Sequence, residues 1–547
     1  MTRAHLALGA LSLVAGAFAV AFAWQPGLAS IYDDSVSYLI MAQAFSPWSA
    51  ASDAVAAAWP AQKYPPLFPM LLALGGGASD WCIAHAWVAA SFAASVFLLG
   101  IHARNVTGSV RLGFAAALAY AWLPGTWLNM KGILSEFPFM ALAFAALAWQ
   151  HRLRAEPASR RDHLVLGLIL SAALLTRTIG IALVAAVAVA GIVSSRRIGA
   201  RTRLLPWAVL PPLVLAGLWY LVRPKGGEDA YVAFSAGMAQ GAAEHGAAWA
   251  LSIMGFNASS LADAWYNALL IYWGEPWRPA FIAASFVGLS GATGSIARAC
   301  KGEADGLYVL AFVAILVAWP FPGQMYRLAL PLVPVLLVHA LWVWERAAAR
   351  FAGEERARRM APYAAILPLA LGVPAVVFYI AGRAAIGEET VVPGYRVGDI
   401  AEFYRIPDRR SAEENARRQI AVFADLEQVR RTTPDGARVM WYAPEYVALL
   451  AQRRGVALAR RDVPAMAAQM RAAKPDYIYF ASAHPRDSAG RLGNPLDGIA
   501  AALPFADGVW QRVDARGQLE SVLLKVDATR LANARQESPS SSTMGRP

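Results

Sequence analysis

Apolar segments long enough to cross a lipid bilayer recur along the first 380 residues, and no other feature of the sequence constrains the fold as strongly. A membrane-spanning helix needs about 20 mostly apolar residues. Eleven segments are candidates for such helices, at 6–24, 81–101, 112–128, 135–150, 163–175, 179–195, 204–222, 279–296, 307–321, 328–344 and 361–381. The sequence therefore predicts a polytopic α-helical membrane protein with about 11 transmembrane helices.

Composition excludes most other classes of protein. Hydrophobic residues make up 57% of the chain and charged residues 16%, whereas about a quarter of the residues in a soluble domain are charged. Only 2 cysteines are present, which excludes a disulfide scaffold. The net charge of +12 is spread through short runs between apolar segments. Because it does not form one basic surface with stacking aromatic residues, we predict no nucleic-acid partner.

The distribution of basic residues predicts the orientation of the helices. With the N-terminus in the cytoplasm, the cytoplasmic segments carry 18 Lys and Arg residues and the outer loops carry 7. Cytoplasmic loops of membrane proteins are enriched in Lys and Arg, so this asymmetry supports the threading. An odd number of crossings then places everything after residue 382 outside the cytoplasm.

The hydropathy changes at about residue 383, and a soluble composition follows, with 24 basic and 20 acidic side chains in 383–547. Strand patterns alternate with helical ones, at 439–442, 444–453, 456–459, 463–473 and 477–481. This alternation predicts a small extracytoplasmic α/β domain over 383–535, after a membrane domain of residues 1–382. The tail 536–547 is rich in Ser, Pro and Gly, so we expect it to be disordered.

Two outer loops, at 25–80 and 223–278, are longer than a connection between helices requires. Long loops on a rigid scaffold are where binding and catalytic sites are commonly built. The first loop contains Asp33 and Asp34, and Tyr38 follows Asp34 by one helical turn. The alternative interpretation is that one of these carboxylates only caps a helix at the membrane surface.

Few charged residues accompany these carboxylates on the outer side. Lys63 is the only cation in the first loop, where it is either part of a site or an anchor at the membrane interface. Arg327 stands at an outer helix entrance, as a headgroup anchor or a phosphate ligand. Ser135 and Glu136 begin the fourth span, where they either cap the helix and complement its dipole or belong to a site.

Four short motifs on the predicted outer side together resemble a known family. They are Asp34 followed by Tyr38 and Ala42, Lys63-Tyr64-Pro65-Pro66-Leu67, Ser135-Glu136-Phe137-Pro138, and Tyr326-Arg327-Leu328-Ala329-Leu330-Pro331-Leu332-Val333-Pro334. In this order they resemble the GT-C glycosyltransferases, in particular the bacterial relatives of protein O-mannosyltransferases and lipid A aminoarabinose transferase. The resemblance covers about residues 1–380. It departs from the family in its acidic pair, which is Asp33-Asp34 or Asp34-Ser35 instead of Asp-Glu, and in the order Tyr326-Arg327.

This resemblance implies an inverting membrane glycosyltransferase, which moves a hexosyl or pentosyl group from a polyprenyl-phosphate sugar to an extracytoplasmic acceptor. The acceptor is a lipid, a glycan or a protein. The resemblance also implies a bacterial inner (plasma) membrane, with the active site and the C-terminal domain on the periplasmic side. A polytopic transporter or lipid flippase is the alternative, and a scaffold that anchors the C-terminal domain is a third interpretation. No Walker motif or dinucleotide fingerprint occurs in the sequence.

Transfer of a sugar from a lipid phosphate requires a base for the acceptor hydroxyl and a site for the departing phosphate. We assign Asp34 as the general base, with Asp33 as its alternate or as an orienting partner. Lys63 and Arg327 are predicted to bind the donor phosphate, because cations stabilise the charge that grows on it.

The sequence identifies no certain cofactor and leaves a divalent metal ion open. Glu136 and Tyr38 are predicted to position the acceptor or a metal ion. Four further ionisable residues in the second long loop could join the site, namely Glu228, Asp229, Glu244 and His245. No ligand spacing typical of zinc sites supports a metal there.

Overall fold

A computed structural model describes residues 3–31, 33–155, 159–198, 204–226, 230–270, 278–319, 324–386, 390–392, 394–404, 408–458, 463–481, 503–514, 517 and 519–533. Within these residues a helical bundle is followed by a small mixed sheet with its own helices.

The first half of the bundle contains α1 (Arg3–Ala23), α2 (Ser35–Phe45), α3 (Asp53–Ala58), α4 (Leu67–Leu74), α5 (Trp81–Thr107), α6 (Val110–Ala121), α7 (Pro124–Met130), α8 (Glu136–Ala155) and α9 (Arg160–Thr176). The second half contains α10 (Ile181–Ile198), α11 (Leu205–Val222), α12 (Ala230–Leu269), α13 (Arg278–Cys300), α14 (Ala304–Val317), α15 (Met325–Leu328), α16 (Val333–Ala352), α17 (Glu354–Met360) and α18 (Ile366–Ile386). Each predicted span coincides with one of these helices, except that 112–128 is divided between α6 and α7.

Six helical segments in the described part of the chain are long and apolar enough to cross a membrane. They are His5–Ala23, Trp81–Thr107, Leu205–Val222, Arg278–Cys300, Met325–Ala352 and Glu354–Val377. Other helices of the bundle are apolar but shorter, such as Ala304–Val317. The helical bundle is therefore confirmed, whereas the number of 11 crossings stays a prediction.

The turn between α5 and α6 shows how the sequence ends one long helix and starts the next. Gly108 follows α5 with a φ of +70°, a left-handed conformation that glycine adopts without steric cost. Ser109 then caps α6, because its hydroxyl accepts a hydrogen bond from the amide of Leu112 at 3.3 Å. Gly108 and Ser109 alone connect two helices that pack against each other.

The two segments expected to be long outer loops contain helices. Residues 25–80 contain α2, α3 and α4, and residues 223–278 contain the whole of α12, which is kinked at Gly246, where φ is +80°. α12 is rich in alanine, the residue with the highest helix propensity, and has no apolar run typical of a membrane span. Helix propensity therefore accounts for α12, whereas hydropathy alone shows only that this region is not a membrane span.

The C-terminal domain is built on a five-stranded mixed sheet. Its strands are β3 (Arg438–Trp441), β4 (Arg454–Ala457), β5 (Tyr477–Ala481), β6 (Ala506–Val513) and β7 (Leu519–Val526), and a separate hairpin precedes it, β1 (Thr390–Val392) with β2 (Tyr395–Arg396). The order is β4-β3-β5-β7-β6, with β3 parallel to β4 and β5, and β7 antiparallel to β5 and β6. The described helices of the domain are α19 (Arg409–Thr432), α20 (Pro444–Tyr446), α21 (Val463–Ala473) and α22 (Ala528–Asn533).

The predicted elements of this domain coincide with β3, β4, β5, α20 and α21, so the expected α/β fold is confirmed. α19 and the pair β6 and β7 have no counterpart among the predictions. α19 is rich in charged residues, and β6 has only a weak alternation of burial. The tail 536–547, predicted to be disordered, lies outside the described residues.

The C-terminal domain packs directly on the helix bundle. The ring of Tyr404 lies 5.5 Å from that of Phe22 in α1 and 5.2 Å from that of Tyr379 in α18. The ammonium group of Lys131, which is fully buried, lies 3.8 Å from the carboxylate of Asp399. The two parts of the chain are therefore joined by a packed interface and not only by the covalent connection after α18.

The two cysteines provide a test of the topology. Cys82 lies at the start of α5, and Cys300 is the last residue of α13. The neighbouring Lys301 packs over Trp342, which lies near the end of α5. The two cysteines therefore lie near opposite ends of α5. In intact cells, a membrane-impermeant maleimide should label the Cys300→Ser variant at Cys82 and leave the Cys82→Ser variant unlabelled until the membranes are opened. The reverse pattern of labelling would place the C-terminal domain in the cytoplasm.

Candidate active site

Asp33 and Asp34 are adjacent in sequence but serve different purposes at the start of α2. The Asp33 carboxylate accepts a hydrogen bond from the amide of Ser35 at 3.0 Å, and a Cβ at Gly132 would lie 2.9 Å from it. Asp34 immediately precedes α2, yet its side chain makes no capping hydrogen bond. Its carboxylate instead forms a close ion pair with Arg327. Asp33 therefore accepts a hydrogen bond from the backbone of α2, whereas Asp34 forms an ion pair with a residue that is distant in sequence.

Arg327 lies on the short helix α15 and joins two carboxylates. In addition to its contact with Asp34, its Nε lies 3.2 Å from Oε1 of Glu136. Glu136 is the first residue of α8, where a negative charge complements the helix dipole. The side chains of Arg327 and Glu136 are only 8% and 1% exposed. Because water cannot solvate these charges, each depends on the other for its stability.

A second arginine approaches Glu136 from the end of α9. Arg177 follows this helix, and one of its terminal nitrogens lies 2.7 Å from Oε1 of Glu136 and 3.2 Å from Oγ of Ser135. The hydroxyl groups of Ser135 and Tyr38 are 2.7 Å apart and hydrogen-bonded. Glu136 is therefore the carboxylate that holds two guanidinium groups beside α2.

A cavity of about 110 Å³ opens beside this network. Its charged side chains are those of Asp34, Lys63, Arg177 and Arg327. Its apolar side chains include those of Ile179, Leu316, Trp319 and Leu328. Three cations against one carboxylate favour an anion, and the apolar wall suits a hydrocarbon chain attached to it.

The environment of Asp34 keeps its carboxyl group ionised. Burial by itself would raise the pKa of Asp34, but the positive charge of Arg327 and hydrogen bonds from Tyr64 and Arg327 outweigh this effect. Lys63 acts in the same direction. The pKa of Asp34 is therefore held below its ordinary value, and the group is a proton acceptor at neutral pH.

Four of the six side chains predicted from the sequence line this cavity, namely Asp34, Tyr38, Lys63 and Arg327. The other two, Asp33 and Glu136, do not line it: Asp33 faces the backbone of Ser35, and Glu136 lies behind the arginines. The structure thus gives the positions of these six residues, and their chemical roles stay predictions.

Arg177 and Tyr64 were not among the predicted site residues. Arg177 interrupts the apolar stretch 163–195, and an ionisable residue at such a position is a signal of function in membrane proteins. Tyr64 belongs to the motif Lys63-Tyr64-Pro65-Pro66-Leu67, but the motif by itself assigns no role to its hydroxyl.

In the part of the chain that the structure describes, no group of three or more His, Cys, Asp or Glu side chains is arranged to hold a metal ion. Glu244 and His245 lie on α12, where Glu244 accepts a hydrogen bond from Gln240 at 2.6 Å. Glu228 and Asp229 fall outside the described residues.

No family model matches the chain, and no curated protein matches it at a significant level. Solved structures share its architecture. The crystal structure of the Archaeoglobus fulgidus oligosaccharyltransferase tethered to an acceptor peptide has a TM-score of 0.52 at 12% identity, covering 94% of this chain and 74% of that one. The crystal structure of ArnT from Cupriavidus metallidurans in the apo state has a TM-score of 0.52 at 14% identity, covering 95% of this chain and 98% of that one.

The chain has the GT-C fold. The structure of Cupriavidus metallidurans ArnT bound to undecaprenyl phosphate agrees, with a TM-score of 0.50 at 15% identity, covering 94% of this chain and 97% of that one. Together with the apolar helices, the GT-C fold makes this a multi-pass membrane protein, as the sequence predicts. At these identities the comparison concerns the fold and leaves the activity to the chemistry of the site.

The charge of Glu136 should be essential for the stability of the site. Glu136→Gln preserves the shape of the side chain but leaves two buried guanidinium groups without their shared counter-charge. We expect the free energy of unfolding in detergent micelles to fall by about 3–5 kcal/mol, the usual cost of breaking a buried ion pair. The matched control is Glu355→Gln at an exposed pair with Arg359, which should change it by less than about 1 kcal/mol. Equal effects of the two variants would contradict a structural role for Glu136.

Proposed function

We propose that the protein is a glycosyltransferase that moves a sugar from a polyprenyl-phosphate donor to the hydroxyl group of an acceptor. The observation that carries this proposal is the cavity in which the Asp34 carboxylate, Lys63 and Arg327 meet beside an apolar wall. A related fold supports it, because ArnT has been solved with undecaprenyl phosphate and the archaeal oligosaccharyltransferase with an acceptor peptide.

The charges around the cavity suit a sugar phosphodiester. Three cations, Lys63, Arg177 and Arg327, meet the carboxylates of Asp34 and Glu136 around the cavity. A phosphodiester carries one negative charge, which such cations are suited to bind. A guanidinium group has five N–H donors, which allows Arg327 to keep its contact with Asp34 and still bind a phosphate oxygen.

The reaction requires one proton transfer and one displacement. Asp34 takes the proton of the acceptor hydroxyl while the acceptor oxygen attacks the anomeric carbon of the sugar. The bond between this carbon and the phosphate oxygen breaks, and the phosphate leaves with the bonding electrons. Lys63 and Arg327 stabilise the charge that grows on it. Because attack and departure occur on opposite faces of the carbon, the anomeric configuration is inverted.

The site and the C-terminal domain belong to the same side of the membrane. The domain contacts the loop that leads to Asp34, since the hydroxyl of Tyr446 donates a hydrogen bond to the carbonyl of Ser30 at 3.0 Å. We place this side in the periplasm of a bacterial inner membrane, on the strength of the asymmetry of Lys and Arg. The acceptor is accordingly a lipid, glycan or protein exposed there.

The position of the charged residues along their helices favours an enzyme over the transporter or flippase considered from the sequence. Asp34 precedes α2, Glu136 is the first residue of α8, and Arg177 follows the end of α9. Transporters commonly place such groups on broken helices near the middle of the membrane. Charges at helix ends instead form a site at one end of the bundle.

Replacement of the proposed base tests this function directly. Asp34→Asn should lower kcat for transfer of the sugar by about 10²–10⁴-fold, the usual contribution of a general base. Asp33→Asn is the matched control: the amide oxygen of asparagine still accepts a hydrogen bond from Ser35, so the loss should remain below about tenfold. The measurement is release of polyprenyl phosphate from a labelled donor by purified protein. Full transfer by both variants would show that neither carboxylate is the base.

The pH dependence of the reaction should respond to Tyr64. Its hydroxyl stabilises the ionised form of Asp34 and lowers the pKa of this group, so Tyr64→Phe raises that pKa. Because only ionised Asp34 accepts a proton, the acidic limb of the kcat/KM profile should move to higher pH. Tyr363→Phe, at an exposed tyrosine that is not part of the cavity, should leave the profile unchanged. An unshifted limb in Tyr64→Phe would exclude Asp34 as the group that titrates.

A further inference from the structure

The loop that connects α1 to α2 is held by the C-terminal domain. This loop ends at Asp34, and its residues 25 and 27–31 are buried. Buried backbone N–H and C=O groups must find hydrogen-bond partners, because water cannot supply them. Several of the partners come from residues that follow in the sequence by more than 350 positions.

Tyr446 of α20 makes two of these contacts. Its hydroxyl lies 3.0 Å from the carbonyl oxygen of Ser30 and 3.3 Å from that of Asp33, and its single proton is shared between the two oxygens. The tyrosine is 3% exposed, and its ring packs edge-on against Trp441 with a centroid distance of 6.4 Å. The second contact is on the residue that immediately precedes Asp34, so the hydroxyl fixes the backbone next to the proposed base.

Other residues of the domain hold the preceding part of the loop. The amide of Ile31 donates to the side-chain oxygen of Gln419, which is fully buried, at 3.3 Å. The amide of Ala401 donates to the carbonyl of Ala29 at 2.8 Å. A Cβ at Gly27 would overlap the ring of Tyr395, so glycine is required for this close approach.

The interface between the domain and the bundle contains a buried charge that also contacts this loop. Lys131, which is fully buried, lies 3.8 Å from Asp399 of the domain and 3.4 Å from Oε1 of Gln25 in the loop. Its ammonium group also lies 4.6 Å from the centroid of the Phe22 ring. A buried charge held by one residue from the domain and another from the loop opposes their separation.

We propose that the C-terminal domain is part of the catalytic apparatus, with Tyr446 as a positioning residue that holds Asp34 in place through the backbone of Ser30 and Asp33. This proposal rests on the proposed function, in which Asp34 is the general base. A reacting group displaced by about 1 Å commonly costs about 10²-fold in rate. The domain thereby acts on the chemical step without touching the substrate.

The opposite side of the cavity is held by residues outside this loop, since Arg327 keeps Glu136 as a second carboxylate partner when Asp34 shifts. Lys63 belongs to the segment between α3 and α4, and Arg327 to α15. Both are proposed to bind the donor phosphate. A change confined to the hydroxyl of Tyr446 should therefore alter the rate of the chemical step and leave the affinity for the donor phosphate unchanged. A general structural weakening of the protein would alter both.

The test compares two tyrosines of the same domain. Tyr446→Phe keeps the ring and removes the two hydrogen bonds to the loop. Tyr479→Phe is the matched control, because its buried hydroxyl donates to Asp425 at 2.8 Å within the domain. Both variants are made in the full-length protein. The measurements are kcat for transfer, competition by undecaprenyl phosphate as the probe of donor affinity, and hydrogen exchange of a peptide covering residues 28–35.

For Tyr446→Phe we expect kcat to fall about 10- to 100-fold, exchange in residues 28–35 to accelerate, and inhibition by undecaprenyl phosphate to keep its wild-type concentration dependence. Tyr479→Phe should match the wild type in all three. Wild-type exchange in Tyr446→Phe would overturn the proposal, and so would faster exchange with an unchanged kcat. If the proposed function itself is wrong, Asp34→Asn will show full transfer. This outcome can be told apart from a failure of the positioning role, because hydrogen exchange of the loop does not depend on any activity.

Discussion

The buried network of Asp34, Arg327, Glu136 and Arg177 is the interaction on which the rest of the site depends. Removing an isolated charge from water costs several kcal/mol, so each of these groups requires a partner of opposite sign. The partners come from the start of α2, the start of α8, the end of α9 and the helix α15. Satisfying the charges therefore forces four separate parts of the chain to meet at one end of the bundle.

The same requirement is met differently near the other end of the bundle. There the carboxylate of Asp305 lies 2.9 Å from two nitrogens of Arg298 and 3.2 Å from Nε2 of His339. These charges neutralise one another within the packed helices. At the candidate active site, in contrast, Lys63 adds a further cation, and the charges line a cavity. Charged groups that converge on open space favour a binding site over an internal ion-pair cluster.

The C-terminal domain adds a constraint that the helices alone do not supply. The loop before Asp34 is buried at residues 25 and 27–31, and the domain provides hydrogen-bond partners at Ala29, Ser30, Ile31 and Asp33. The site is thus bounded by helix ends on one side and, on the other, by a loop that the domain holds through hydrogen bonds. Such support suits a general base that must keep its position while an acceptor and a long lipid bind and leave.

Local patterns in the amino-acid sequence are enough to predict the helical bundle, three strands of the C-terminal domain, and the candidates Asp34, Lys63 and Arg327. Hydropathy and strand patterns are local properties, and each apolar segment reports its own burial. The different orientations of Asp33 and Asp34, the presence of Arg177 and Tyr64 at the cavity, and the hydrogen bonds of Tyr446 are visible only in the folded chain. These facts depend on pairs such as Asp34 with Arg327, 293 residues apart in the chain. Contacts of that kind arise from the way helix ends converge, which no local pattern of residues encodes.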